Sequence, residues 1–382
     1  MTMTTTATTH WTATDPDARW TSSARDVAQE IGTHTAEHDR MGDFVTDAFE
    51  RLRAEGFLSM LVPTELGGGG ASHAEACAAL AALAHGCPAT ALTLSMHTHL
   101  VGAQVWRHHH DLPAPLLARV ATEQLVLVST GASDWIDSNG TATQVDDGFR
   151  VTARKAPASG SPVGDLLVTS VRWEGAPDGP QVIHFAVPFG AAGVRVEQTW
   201  DAMGMRATGS HTVVLDDVFV PTAAVSLTRP AGVWHPVWNI IVGTAMPLIM
   251  AVYTGVAEAA ADRAIAVAAA RADVTTVPLI GRMLNRLHAC QDAVGAMVAM
   301  SADLHFAHTT EHASAVLSRK TTATEAAIDT VRLAMELTGG AGYSRSTGIE
   351  RLYRDVHGAL YHPLPAAKQE LFSGRVALGA MP

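Results

Sequence analysis

The stretch Trp200–Pro221, WDAMGMRATGSHTVVLDDVFVP, decides the fold. It reads as two extended runs joined by a glycine-containing corner. Gly204 and Gly209 supply permissive backbone on either side of a single cation, Arg206, which reads as buried. From Thr212 to Val220 apolar residues alternate around Asp216 and Asp217, and Pro221 ends the run. That is the pattern of a half-buried strand.

Outward from this strand the chain falls into three zones. Residues 23–125 carry a helical period through Val45, Phe49 and Leu52, then Ala74, Ala78, Ala81 and Leu83, then Leu92, Met96 and Leu100. A glycine-rich loop, Leu61–Gly70, interrupts them. Residues 126–230 hold short alternating runs (Leu125–Ser129, Phe149–Ala153, Leu166–Val171, Val182–Val187, Val194–Gln198 and Thr212–Val220) separated by Gly, Asp and Pro turns. This predicts a small antiparallel, barrel-like domain. Residues 231–382 return to helix over Ile240–Arg271, Leu279–Ala313 and Thr321–Thr338, the last stopped by Gly339 and Gly340. The expected class is α+β and multidomain: an N-terminal helical domain, a central antiparallel β-barrel-like domain and a C-terminal four-helix bundle. A Thr-rich polar segment, residues 1–22, is expected to be a frayed tail. It has no apolar core of the kind a signal peptide needs.

Composition removes several function classes. With 26 Lys and Arg against 37 Asp and Glu, the net charge of −11 disfavours nucleic acid or an anionic membrane as partner. Cys77, Cys87 and Cys290 are odd in number and lack CxxC spacing, so a reducing, cytoplasmic setting is expected. No Asp, Glu, Lys or Arg lies between Arg229 and Glu258, but Pro236, Asn239, Gly243, Pro247 and Gly255 interrupt that run. It reads as a buried bundle helix and not as a membrane span. His308-Thr-Thr-Glu311-His312 matches an H-x-x-E-H zinc pattern, with His305 one turn earlier, yet its polar surroundings read as a solvated helix face and no metal is expected. His108-His109-His110 reads as a loop. No G-x-G-x-x-G follows a strand and no P-loop is present.

Four segments in order, Pro63–Gly70, Gly148–Ser170, Trp200–Pro221 and Glu336–Gly358 (ELTGGAGYSRSTGIERLYRDVHG), resemble acyl-CoA dehydrogenase-type flavoenzymes over nearly the full length. The resemblance implies a flavin, FAD or FMN. It puts Ser159, after the Lys155 strand, near the isoalloxazine N5, and lets Ser129 and Thr130 donate to the pyrimidine edge. Pro157 stands where an aromatic usually covers the ring. Gly339, Gly340 and Gly342 correspond to the turn that builds part of the flavin site and the subunit contact, which implies a homotetramer or homodimer. Arg271 keeps the cation of the family's R-x-x-F-G clamp without its Phe and Gly, and Glu336 replaces a Gln, so the resemblance implies a loosely held flavin.

The position of the catalytic base departs from the family. His362, in Tyr361-His362-Pro363, stands where the usual Glu would be, and the alternative family position, Gly243–Leu248, has no carboxylate. A neutral imidazole can act as a base near pH 7. Ser159 paired with His362 resembles the two-component flavin monooxygenases of this fold, where a hydroxyl and a histidine support an oxygenated flavin. The leading expectation is therefore a monooxygenase or hydroxylase that uses O2 and reduced flavin from a separate flavin reductase. The alternative is an acyl-thioester α,β-dehydrogenase with resident FAD, a non-standard base and an electron-transfer flavoprotein as partner; a third is a non-catalytic flavin-binding homologue. His97, beside His99 on the helix expected to roof the pocket, is a second catalytic candidate. His97, Arg206, His235 and Tyr361 are the expected pocket residues around a small-molecule substrate.

Overall fold

The computed structural model describes residues 18–131, 134–269 and 273–380. Six helices form the N-terminal unit: α1 (Arg19–Gly32), α2 (Thr35–Met41), α3 (Thr46–Ala54), α4 (His73–Gly86), α5 (Pro88–His109) and α6 (Leu116–Glu123). Helix α1 takes in the last four residues of the expected polar tail, 19–22. Trp20, Ala24, Val27 and Ala28 recur at helical spacing and are buried, with the Trp20 ring edge-on to Phe57 at 5.4 Å. Helix α4 opens on a capping box, in which Ser72 and Glu75 satisfy each other's backbone N–H groups. Helix α5 runs to His109, so His108 and His109 are helical and not loop residues. Stacking explains the extension: His110 lies flat on Trp106 at 3.9 Å and His109 on His305 at 3.9 Å.

The central unit is one sheet of β1 (Leu127–Ser129), β2 (Thr141–Val145), β3 (Gly148–Ala158), β4 (Leu166–Trp173), β5 (Gln181–Pro188), β6 (Val194–Glu197), β7 (His211–Pro221) and β8 (Val225–Pro230). Its order is β6-β7-β3-β2-β4-β5-β8, with β1 beside β4. The sheet is mixed and not wholly antiparallel, because β1 and β2 both run parallel to β4. Strand β1 enters from α6 and needs no hairpin. Strands β2 and β8 are absent from the sequence pattern since most of their side chains are exposed or half-exposed, leaving no clean alternation.

The C-terminal unit comprises α7 (Val237–Ala268), α8 (Thr276–Met300), α9 (Thr310–Thr338), the short α10 (Gly340–Tyr343), α11 (Ile349–Val356) and α12 (Ala366–Ala377). Helix α7, uncharged as far as Ala257, lies at the centre, packed on α4, α5, α8, α9 and α11. The expected single helix over Leu279–Ala313 is broken. Ala302, Asp303 and Leu304 take positive φ values of 45°, 50° and 63°, and α9 restarts with Thr309 capping His312 N–H. The start of α4 pins this corner: His73 N–H donates to Asp303 Oδ1 (2.7 Å), and His73 Nδ1 meets Ser301 Oγ (2.8 Å). The H-x-x-E-H residues therefore straddle a helix cap and do not share a solvated face. The His308 ring abuts Trp106, while His312 is half-buried and stacks on Phe306 at 4.7 Å.

Candidate active site

A cavity of about 530 Å³ opens where the three units meet. Leu92, Met96 and His99 of α5 form one wall, and Ser129, Thr130 and Gly131 at the end of β1 form a second. Pro157 and Ser159 end β3 nearby. The Trp200–Met205 corner, Thr208 and Ser210 supply the third wall. Ile241, Ala245, Ile249 and Tyr253 make a stripe on α7 at intervals of four residues, which one helix face requires. Arg354, His357, Gly358, Tyr361 and His362 complete the wall from the C-terminal side.

A chain of hydroxyls reaches the cavity with a direction that can be deduced. Thr208 Oγ1 donates to Met205 O at 2.9 Å, which uses its one proton. With the Thr208 proton on Met205 O, Ser210 donates across the 2.7 Å contact to Thr208, and Ser159 across the 2.8 Å contact to Ser210. Ser159 Oγ is left with lone pairs and no free proton.

The β1 end is held by a buried ion pair. Lys155 Nζ, 1% exposed, donates to Asp134 Oδ2 (2.9 Å), Ser138 Oγ (3.0 Å) and Asn139 O (2.9 Å). Burial pulls the lysine pKa down against the attraction of Asp134. Thr130 Oγ1 donates to the same carboxylate oxygen at 2.9 Å. Buried Arg229 donates to Asp134 O and Ile136 O (2.8 and 3.0 Å) and lies over Trp238, on which Trp135 stacks at 5.1 Å. Trp135 thus meets the cavity from a braced loop.

On the opposite side, Tyr253 Oη and His362 Nε2 are 2.8 Å apart. Burial, then Lys320, then His99 hold the His362 pKa down to about 3, so the ring is neutral. Lys320, fully buried on α9, donates to His362 O (3.0 Å) and Leu364 O (3.3 Å), and burial lowers its pKa to about 8. His99 is also kept neutral, at about 4 by burial, with Nδ1 3.2 Å from Ser95 O. The guanidinium of Arg354 is already neutralised: it meets Asp39 at 2.9 and 2.6 Å and Glu350 at 2.8 Å. Among the described residues no carboxylate lines the cavity.

Of the expected site residues, Ser129, Thr130, Ser159, Tyr361 and His362 line this cavity. His97 does not. Its Nε2 lies 2.7 Å from Leu58 O and its Nδ1 accepts from Leu127 N–H at 3.0 Å, bolting α5 to β1. Positions 97 and 99 sit about 200° apart around a helix, so His99 faces the cavity and His97 cannot. Arg206 is also elsewhere; it donates to Asp39 O (2.7 Å) and Ala202 O (2.9 Å) and pairs with Asp201, tying the corner to α2. His235 stays at the start of α7, where Nδ1 accepts from Val237 N–H. Gly339 borders a separate groove of about 520 Å³ with Arg282 and Glu336; Gly340 starts α10 and Gly342 is buried within it. Arg271 lies outside the described residues. Tyr253, Ser210, Trp135 and Trp200 were not anticipated. The four-residue spacing from Ile241 was the signal for Tyr253.

These side chains fit the flavin that the resemblance implies. Ser129, Thr130 and Ser159 bring hydroxyls to one side, suiting a ring with a polar edge, and Trp135, Trp200 and Met246 bring apolar surface for its faces. A helical unit, a sheet and a helical bundle enclosing one shared cavity define the architecture of acyl-CoA dehydrogenase-type proteins. Comparison with known sequences agrees. Residues 16–112 match the acyl-CoA dehydrogenase N-terminal domain model, and residues 245–360 match the C-terminal domain model, together more than half of the chain. The amino sugar nitrososynthase DnmZ of Streptomyces peucetius is 30% identical over 372 residues, covering 91% of this chain and 90% of that protein. The putative acyl-CoA dehydrogenase YdbM of Bacillus subtilis is 29% identical over 381 residues, covering 91% and 94%. The solved structure of KijD3, in complex with FMN and dTDP-3-amino-2,3,6-trideoxy-4-keto-3-methyl-D-glucose, superposes with a TM-score of 0.87 at 27% identity, covering 98% of this chain and 97% of that one. The chain belongs to the acyl-CoA dehydrogenase family.

Proposed function

We propose that this chain is the oxygenase component of a two-component flavin-dependent monooxygenase, which takes reduced flavin from a separate reductase and oxygenates a small-molecule substrate with O2. The observation that carries this reading is the direction of the Ser159–Ser210–Thr208 chain. At the place the resemblance gives Ser159, an accepting Oγ suits the N5–H of a reduced flavin and offers nothing to the lone pair of an oxidised one. Among the described residues the lining also lacks a carboxylate to remove a thioester α-proton, the step a dehydrogenase of this family needs. The nitrososynthase DnmZ and the FMN-bound KijD3 point the same way.

When bound, the reduced flavin supplies the activation of O2. The residues of this chain would bind and orient it: Ser129 would offer a hydrogen bond to its edge, Thr130, whose proton goes to Asp134, would accept there, and Ser159 would accept at N5. Met96, Met246 and Ile249 would keep water from the reacting atoms. The chain works as a homotetramer or homodimer built on its C-terminal helices, in the cytoplasm. An acyl-thioester dehydrogenase with resident FAD is the second reading, supported by the likeness to YdbM.

Anaerobic titration with FMN and FAD, oxidised and then photoreduced, tests the proposal. Reduced flavin should bind more tightly, and oxygen uptake should require added reduced flavin. Protein isolated with full FAD occupancy and bleached by an acyl-CoA in the absence of oxygen would overturn it in favour of the dehydrogenase.

A further inference from the structure

The contact between Tyr253 and His362 allows two proton arrangements. Either the phenol donates to Nε2, or Nε2–H donates to Oη. Tyr253 is 0% exposed, and its Oη has no other hydrogen-bond partner among the described residues. Were Nε2–H the donor, the phenolic proton would be buried with no acceptor, at a cost of about 1–3 kcal/mol. Gly358 crowds the hydroxyl as well, since a Cβ there would lie 2.6 Å from Oη. The phenol also keeps its proton, because burial and then Asp355 push its pKa well above the ordinary value. With the imidazole neutral and Nε2 accepting, its one proton sits on Nδ1, which takes no protein partner among the described residues.

We propose that Tyr253 is a positioning residue that fixes His362 as the Nδ1–H tautomer, so that this ring presents the cavity with a hydrogen-bond donor and not with a proton-accepting lone pair. Lys320 supports the same state from behind. It holds the backbone carbonyls of His362 and Leu364, and its charge opposes a second proton on the ring. A neutral donor in an apolar cavity is suited to stabilising negative charge that develops on an oxygen atom of a bound reactant. This replaces the general-base role expected of His362. It rests on the monooxygenase reading only for which oxygen is served.

Two measurements test it. In protein labelled with 15N-histidine, the His362 signals, assigned by their loss in His362→Gln, should show a protonated Nδ1 and an unprotonated Nε2. In Tyr253→Phe the balance should move toward Nε2–H. An Nε2–H ring in the unmodified protein overturns the proposal, as does a tautomer unchanged in Tyr253→Phe. If Tyr253→Phe fails to fold, the tautomer of the unmodified protein decides alone. In turnover, His362→Asn places an amide N–H near the Nδ1 position and should keep at least about tenfold more activity than His362→Ala, the worth of one donor hydrogen bond. Equal losses return His362 to the role of base. Failure to consume oxygen with reduced flavin would sink the monooxygenase reading but leave the tautomer result standing.

Discussion

Ser159 and His362 share a property at the residue scale: a neighbour decides where each one's proton goes. Ser210 takes the proton of Ser159, and Tyr253 directs that of His362 to its far nitrogen. Replacing Ser210 with Ala therefore frees the Ser159 hydroxyl to donate. The ratio of oxidised to reduced flavin dissociation constants should fall about fivefold, which anaerobic titration of the variant reads directly, because one neutral hydrogen bond is worth roughly 1 kcal/mol. An unchanged ratio would show that Ser159 does not address the flavin ring nitrogen. Single residues are also where sequence reading was least reliable. Ser159 and His362 were recognisable because each stands at a motif position, and both reach the cavity. Arg206 looked like a pocket cation, but its carbonyl partner at Asp39 lies 167 residues earlier and leaves no trace near the motif. His97 and His99 were indistinguishable because α5 is buried on nearly all sides, so no polar face marks its orientation.

The cavity depends, at the element scale, on how closely α7 approaches its neighbours. A Cβ at Gly255 would lie 2.2 Å from Ala81 O of α4, a backbone atom that cannot swing aside. Gly255→Ala should cost about 1–3 kcal/mol by overpacking and lower the urea midpoint. A midpoint equal to that of the unmodified protein would mean the α4–α7 contact is looser than described. The long helices and the core strands were legible because their apolar residues follow one period. The break between α8 and α9 was not, since it is imposed by His73 from another unit through hydrogen bonds to Ser301 and Asp303. Strands β2 and β8 escaped for a different reason: edge-like exposure removed the alternation that reveals a strand.

Buried neutral histidines set the response of the whole molecule to acid. Burial holds His73, His97 and His99 at about 4, and His184 and His362 at about 3, against an ordinary value of 6.5. Below pH 6.5 the unfolded chain therefore takes up protons that the native chain refuses. Stability is fully present above that pH and falls as pH drops, by up to about 1.4 kcal/mol per pH unit for each such histidine. Asp355 has the opposite sign. Its pKa is raised to about 6, so it gains relative stability on protonation, and burial raises the Asp262 carboxyl in the same direction, but these are two groups against five. The urea midpoint should be clearly lower at pH 5.5 than at pH 7.5; a flat or rising profile would contradict neutral burial of these rings. The three units are joined by the same kind of long-distance contact. Asp39 of α2 clamps Arg354 of α11, Asp355 accepts from Met205 N–H, and His73 holds the corner after α8. For the history of the gene this has a consequence. Exchanging a whole unit with a relative by recombination would separate those partners and dismantle the cavity, whereas point changes along the α7 stripe at Ile241, Ala245 and Ile249 alter its shape and leave every clamp intact. Changes of specificity that keep these clamps are accordingly expected along one helix face, and a mutant library confined to those three codons would sample them.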